Sequence, residues 1–123
     1  MTNHVKKFYS AVSVLTGHGH IKQRLIKAFE DNLAHIEHDN LPGDLRESFG
    51  ELSHLMTQVE PLNGEGPICA SVRKMSIDEA DQCAQRILDL YRNMLQGAAD
   101  KHTAIPLQVE DRQVTTPVLV NTN

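Results

Sequence analysis

The chain has 123 residues, of which 40% are hydrophobic and 23% are charged, so it has the length and composition of one ordinary globular domain. Its formal net charge of −4 and its pI near 5.9 exclude a nucleic-acid-binding polycation. No stretch of 18 apolar residues is present, which excludes a transmembrane helix, and three Phe, two Tyr and no Trp leave little for a base-stacking platform.

The cysteine content and the N-terminal sequence together predict a cytoplasmic protein. Two cysteines, Cys69 and Cys83, are too few for a disulfide scaffold and fit a reducing compartment. A mildly apolar run over residues 8–15 follows two lysines, but Tyr9 and two serines interrupt it. A signal peptide has a stronger apolar segment and a small-residue cleavage site, so we expect none here.

Hydrophobic periodicity predicts three helices in the first 60 residues, because apolar side chains recur at spacings of three and four. Pro42 is expected to begin the third helix, with Asp39 or Asn40 as its cap, and Gly50 within that helix indicates close packing. The three apolar faces consist of Val5, Phe8, Tyr9, Val12 and Leu15; of Ile21, Leu25, Ala28, Phe29, Leu33 and Ile36, in a helix over 18–36; and of Leu41, Leu45, Phe49, Leu52, Leu55, Met56 and Val59.

The fourth predicted helix has the clearest start. Ser76 and Glu79 have the spacing of a capping box, in which each side chain accepts a hydrogen bond from the other's backbone N–H. Gly97 is expected to close the helix as a C-cap. The preceding segment, 68–75, fits either a short strand or a helical turn. The apolar face of this helix consists of Ile77, Ala80, Ala84, Ile87, Leu88, Tyr91, Met94 and Leu95.

These patterns predict an all-α fold, a small bundle of four amphipathic helices with an extended C-terminal tail. The helical bundle domain is expected to cover residues 1–97, and an extended or disordered tail residues 98–123, where two prolines interrupt any helix. A core of this size offsets the chain entropy only marginally. A homodimer, which would bury further apolar surface, is therefore expected.

Charge is distributed unevenly along the chain. Residues 1–29 contain five basic residues and no acidic one, whereas residues 30–65 contain nine acidic residues against a single arginine. Three cations of the second predicted helix, Lys22, Arg24 and Lys27, are therefore candidates for binding an acidic protein partner. The alternative is that the basic helices neutralise the acidic third helix within the fold.

Two further cations, Arg73 and Lys74, stand just before the predicted start of the fourth helix. The free N–H groups and the positive dipole of a helix N-terminus attract anions. Arg73 and Lys74 are therefore candidates for binding an anion or an acidic partner. The alternative is that both reach acidic residues of the third or fourth helix.

Seven histidines are present, and four of them form two clusters that predict a candidate metal site: His18, His20, His35 and His38. Neutral imidazole binds zinc, copper, nickel or iron, and ligands on one helix must be three or four residues apart to face one ion. His35 and His38 have that spacing. The alternative is that these histidines are exposed at helix ends, where the C-terminal dipole favours them.

The sequence favours a non-catalytic protein-interaction or regulatory module that uses no cofactor. Neither a nucleophile elbow nor a phosphate-binding loop is present. Two alternatives stay open: a metal- or ligand-binding helical bundle that uses the clustered histidines, and a regulator that contacts nucleic acid through the basic N-terminal third. Five basic residues without interleaved aromatics are a poor footprint for nucleic acid, so a protein partner is preferred.

Overall fold

The computed structural model describes the backbone of residues 3–103 and the side chains of residues 3–97. This part of the chain is helical and contains no strand, which confirms the predicted all-α bundle. A π-helical turn, Phe29–Leu33, continues from the second helix, and a 3₁₀ turn, His38–Asn40, precedes the third. The five α-helices are α1 (Asn3–Leu15), α2 (Ile21–Ala28), α3 (Gly43–Thr57), α4 (Pro67–Lys74) and α5 (Ile77–Thr103).

The second helix is shorter than the predicted span of 18–36. It begins after His20, whose Nδ1 accepts a hydrogen bond from the backbone N–H of Lys22 at 3.1 Å. After Ala28 the turn widens, and the backbone N–H of Ala34 donates to the carbonyl of Phe29 at 2.9 Å. Phe29 and Leu33 both stay buried through this wider turn, so the apolar pattern persists although regular α-helix has ended.

The ambiguous segment before Ser76 is the helix α4, which gives the bundle five helices instead of the predicted four. Ile68, Ser71 and Val72 are buried at the i, i+3, i+4 spacing of one helical face. The Oγ of Ser71 accepts a hydrogen bond from the backbone N–H of Val59 at 3.0 Å, which supplies the partner that a buried hydroxyl requires. Because the polar residue Ser71 occupies a core-facing position, the apolar residues of this segment did not show the spacing of a helix.

The predicted capping box at the start of α5 is confirmed. The backbone N–H of Glu79 donates to Ser76 Oγ at 3.0 Å, and the backbone N–H of Ser76 donates to Glu79 Oε1 at 2.8 Å. The predicted end at Gly97 is wrong, because α5 continues to Thr103. Gly97 lies within this helix, at a cost of about 1 kcal/mol relative to alanine. Of the predicted tail, residues 98–103 are helical and residues 104–123 lie outside the described part.

Two expectations for α3 are also corrected. Pro42 precedes the helix as predicted, but no side chain caps it, because Asp39 and Asn40 lie in the 3₁₀ turn. A Cβ at Gly50 would lie 3.8 Å from the nearest atom, which belongs to His38, so this glycine does not reflect close packing. The local sequence therefore predicted where α3 begins. It did not predict that the residues expected to cap the helix would form the preceding 3₁₀ turn instead.

The core is one apolar cluster with the ring of Phe49 near its centre. Phe8 meets this ring edge-on at 5.7 Å between centroids, and Phe29 stacks on it at 6.4 Å. Helix α5 packs against α1, α2 and α3, and α4 packs against α2 and α3. The core face of α5 consists of Ala80, Cys83, Ala84, Ile87, Leu90 and Met94. In residues 3–103, no helix combines the length and the apolarity that crossing a bilayer requires.

Candidate interaction surface

Two of the three cations proposed to bind a partner form hydrogen bonds within the fold. Arg24 donates from Nη1 to the carbonyl of Leu15 at 2.6 Å and from Nε to the carbonyl of Gly19 at 2.9 Å, so it closes the C-terminal end of α1. Lys22 Nζ donates to the carbonyl of Arg73 at 3.2 Å. Lys27 is exposed, beside a shallow cavity that Arg24 also lines. Partner binding through these residues stays a prediction.

Arg73 and Lys74 occupy the last turn of α4, where the negative end of the helix dipole favours cations. The guanidinium of Arg73 forms two hydrogen bonds with the carboxylate of Glu65, one of them from Nε to Oε1 at 3.2 Å. The expected alternative, an internal ion pair, is therefore present for Arg73, although its partner lies in the α3–α4 linker instead of α3 or α5. Lys74 is exposed and makes no ion pair with any residue in the described range.

The ion pair with Arg73 makes the contribution of Glu65 dependent on pH. Hydrogen bonds from the Arg73 guanidinium lower the pKa of the Glu65 carboxyl below its ordinary value. A carboxyl with a lowered folded-state pKa stabilises the fold above its unfolded-state pKa, and this contribution is lost as the pH falls through the folded-state pKa. We therefore expect Glu65→Gln to reduce stability at pH 7 and this deficit to shrink as the pH falls below the ordinary pKa of a glutamate, as measured by urea unfolding.

A second variant tests the same ion pair from the other side. Arg73→Met removes the guanidinium and keeps most of the apolar stem, so we expect its stability deficit to shrink over the same acidic range. A deficit of equal size at pH 7 and pH 3 in both variants would contradict this account of the Glu65 pKa.

The four histidines proposed as metal ligands are divided among different parts of the surface. His20 caps α2, and the ring of His38 contacts Phe49 edge-on at 5.2 Å between centroids. His18 and His35 line two different shallow cavities. The chain leaves the helix after Leu33, so the spacing of His35 and His38 no longer places them on one helical face. The described residues contain no group of three or more His, Cys, Asp or Glu side chains placed to hold a metal ion.

The two cysteines have different environments. Cys83 is buried in the core face of α5, and this burial raises the pKa of its thiol. Cys69 on α4 is half-buried. The buried environment of Cys83 differs from that of an activated thiolate, which is partly exposed beside cations or a histidine.

Four of the five exposed large hydrophobic side chains in the described part of the chain gather on one surface. Ile77, Leu88 and Leu95 of α5 are 59%, 42% and 41% exposed, and Tyr9 of α1 is 56% exposed. The ring of Tyr9 lies 6.2 Å from that of Tyr91, measured between centroids, which joins α1 to this surface. The sequence placed Tyr9 on the buried face of α1, and this expectation is wrong, because its neighbour Phe8 occupies the core instead.

The three exposed residues of α5 lie on one side of the helix. At 3.6 residues per turn, Ile77, Leu88 and Leu95 point within about 20° of one another. Ala84 and Tyr91 are their half-buried or buried neighbours towards the core. We call Ile77, Ala84, Leu88, Tyr91 and Leu95 the α5 stripe.

Sequence reasoning missed this surface because it assigned eight apolar residues of α5 to a single buried face. With Cys83 and Leu90 included, these residues span about 160° of the helix, wider than the roughly 100° that an amphipathic helix needs to pack on a core. That excess width was the available signal. The structure divides it into a core face and the partly exposed α5 stripe.

No family model matches the chain, and no curated protein or solved structure is significantly similar to it. Function therefore has to be inferred from the side chains themselves. The α5 stripe and Tyr9 together hold four of the five exposed large hydrophobic side chains of the described residues. An exposed apolar patch with a polar border is typical of a protein-interaction site.

Proposed function

We propose that this chain is a non-catalytic protein-interaction module that binds its partner through the α5 stripe and Tyr9. The observation that supports this proposal most strongly is the gathering of Tyr9, Ile77, Leu88 and Leu95 on one surface. Burying a Leu or Ile side chain completely contributes roughly 1.5–3 kcal/mol, so partial burial of three of them would supply much of a binding free energy. Tyrosine is enriched at such interfaces because its ring is apolar and its hydroxyl is polar.

The border of this surface is polar and carries both signs of charge. Asp78 and Arg92 both lie on the side of the stripe that faces away from the core. Asp78 comes about two helical turns before Gln85, and Arg92 comes about two turns after it. Arg92 is 3.5 Å from Asp89 in an exposed ion pair, which holds it only weakly. An apolar strip bordered by available charges gives a partner both burial and orientation.

The location that fits this proposal is the cytoplasm, because Cys69 and Cys83 are both free thiols. The two alternatives raised by the sequence have less support. A metal-binding bundle needs ligands that converge, and the candidate histidines do not. A nucleic-acid regulator needs available cations in the N-terminal third, where Lys22 and Arg24 already have carbonyl acceptors within the fold.

Affinity capture from a lysate of the source organism, with matched baits, tests the proposal. We expect proteins retained by the wild-type chain to be lost from a Leu88→Asp, Leu95→Asp bait, because a partner would have to bury two carboxylates. Untagged copies of the chain itself count among these proteins. The control bait carries Leu62→Asp, which changes an exposed leucine of the α3–α4 linker and should retain the same proteins.

Circular dichroism of the three baits checks that each is folded, so that a loss of captured proteins is not caused by unfolding. We expect all three to be folded, since the substituted leucines are exposed. An identical set of retained proteins on all baits would contradict the proposed surface. Loss from the Leu62→Asp bait alone would move the interface to the linker.

A further inference from the structure

We propose that the partner seated on the α5 stripe is a second copy of this chain, whose own α5 lies antiparallel to the first; this rests on the proposed function above. Two copies would then contact each other through the same surface, related by a two-fold axis. Such an isologous contact requires that the surface be complementary to itself. The sequence of α5 meets this requirement in spacing, in polarity and in charge.

The spacing is that of a helix–helix seam. Ile77, Asp81, Ala84, Leu88, Tyr91 and Leu95 alternate at intervals of four and three residues. This is the heptad spacing with which one helix keeps a continuous contact with another. Of the seam positions, Ala84 is also part of the core, at 9% exposed, and Tyr91 packs against the core edge, whereas Ile77, Leu88 and Leu95 are exposed, so pairing through these three leaves the bundle intact. The seam covers 19 residues of α5, or about 28 Å.

An antiparallel register about Arg86 matches apolar residues with apolar ones and the carboxylate of the seam with its hydroxyl. It places Leu95 against Ile77 of the second copy, and Leu88 against its Ala84. In the remaining layer Asp81 faces Tyr91 of the second copy, whose hydroxyl donates a hydrogen bond to the carboxylate. The one charged position of the seam thus meets the one hydroxyl, and a polar pair of this kind fixes register and orientation.

A parallel pair is disfavoured by the same residue. Parallel helices in register place identical seam positions in the same layer, so the two Asp81 carboxylates would face each other. Like charges at close approach destabilise the contact, and Tyr91 would be left without its acceptor. Asp81 therefore selects the antiparallel arrangement.

The charges beside the seam complement each other in the same register. Asp78 and Arg92 flank the stripe on its solvent side, at nearly equal distances from the two-fold axis near Arg86 and Gln85. Positions of this kind meet their counterparts across an antiparallel seam, so Asp78 of each copy faces Arg92 of the other. Because of the two-fold axis, this contact forms twice. Arg92 then gives up its weak exposed ion pair with Asp89 and forms an ion pair with Asp78 of the second copy.

Sedimentation velocity of the purified full chain tests whether it is a dimer and whether charge sets the pairing. We expect the wild type to dimerise, and Asp78→Arg or Arg92→Asp alone to raise the dimer Kd about tenfold, because each reversal places like charges together twice. The double variant Asp78→Arg, Arg92→Asp should restore the wild-type Kd. Restoration of the Kd would show that the two residues pair across the interface. If Asp78→Arg acted only by weakening the first turn of α5, the double variant would keep the raised Kd.

Disulfide trapping tests the register in a Cys69→Ser, Cys83→Ala background. Gln85→Cys lies next to the two-fold axis and should oxidise readily to a covalent dimer, because the two thiols come close. Leu95→Cys alone should not, since the antiparallel register separates the two copies of residue 95 by the length of the seam. Covalent dimers of Leu95→Cys instead of Gln85→Cys would overturn the antiparallel register.

The two proposals fail in different ways. A wild-type chain that stays monomeric at all accessible concentrations overturns the second-copy proposal. If capture of other proteins still depends on Leu88 and Leu95, the interaction surface stands with a different partner. A dimer that survives Leu88→Asp, Leu95→Asp overturns the seam, because association would then use another surface.

Discussion

Replacement of Phe49 by alanine is expected to lower the free energy of unfolding by about 3–5 kcal/mol. The Phe49 side chain is 1% exposed, and its ring contacts the rings of Phe8, Phe29 and His38. Removing it leaves a cavity where three segments of the chain meet, and the rigid neighbouring rings limit collapse into that space. Urea unfolding followed by circular dichroism measures the change as a lower midpoint at an unchanged slope.

This loss is large compared with the whole stability of a small domain, about 5–15 kcal/mol. Two variants serve as controls. Phe49→Leu keeps much of the buried volume and should cost less, while Leu62→Ala changes an exposed linker side chain and should stay within about 0.5 kcal/mol. A cost below about 1 kcal/mol for Phe49→Ala would mean that the packing around this ring is not what holds α1 and α3 together.

The parts of the fold that sequence predicted best depend on neighbouring residues alone. The capping box of Ser76 and Glu79 involves residues three apart on one helix, so its geometry follows once the helix forms. The apolar periodicity of α1 and α3 likewise placed Phe8 and Phe49 in the core. Local sequence also suggested Gly97 as a helix end, but a glycine in a helix costs only about 1 kcal/mol, which the rest of α5 outweighs.

The errors arose where another segment of the chain decides the outcome. Ser71 is buried because the N–H of Val59 reaches it from the end of α3, a contact between residues 12 positions apart. Glu65 lies beside Arg73 because the linker folds back onto α4. Carbonyl groups at the ends of α1 and α4 accept hydrogen bonds from Arg24 and Lys22, which no charge count reveals. Hydrogen bonds between different elements depend on the three-dimensional course of the chain, which the pattern of residue types does not specify.

The candidate site was missed for a different reason. Apolar side chains in a helix predict burial, but they do not say whether the same chain or a partner covers them. For α5 the apolar arc is wider than one core contact requires, and the structure assigns Ile77, Leu88 and Leu95 to the exposed part. The width of the apolar arc, measured before any fold is assumed, is the feature that indicates a second contact.

Modification of Cys83 by a soluble disulfide reagent is expected to be at least about 10³-fold slower in the folded chain than in urea. The thiol is 3% exposed in the core face of α5, and burial also raises its pKa, which lowers the thiolate fraction at neutral pH. Reaction therefore requires that α5 separate from the bundle, and a stability of about 5 kcal/mol limits that open state to less than one molecule in a thousand. A Cys69→Ser variant isolates this thiol for the measurement.

Combining this assay with Phe49→Ala shows whether α5 opens alone or only when the whole bundle unfolds. If opening is global, a destabilisation of about 3 kcal/mol should accelerate the labelling of Cys83 about 100-fold, because the open population rises by that factor. A labelling rate that Phe49→Ala leaves unchanged would mean that α5 detaches on its own. Since Cys83 lies on the core face of the same helix that carries the α5 stripe, a detached α5 could not present that stripe as a fixed surface, and the proposed interface would have to form from the opened chain.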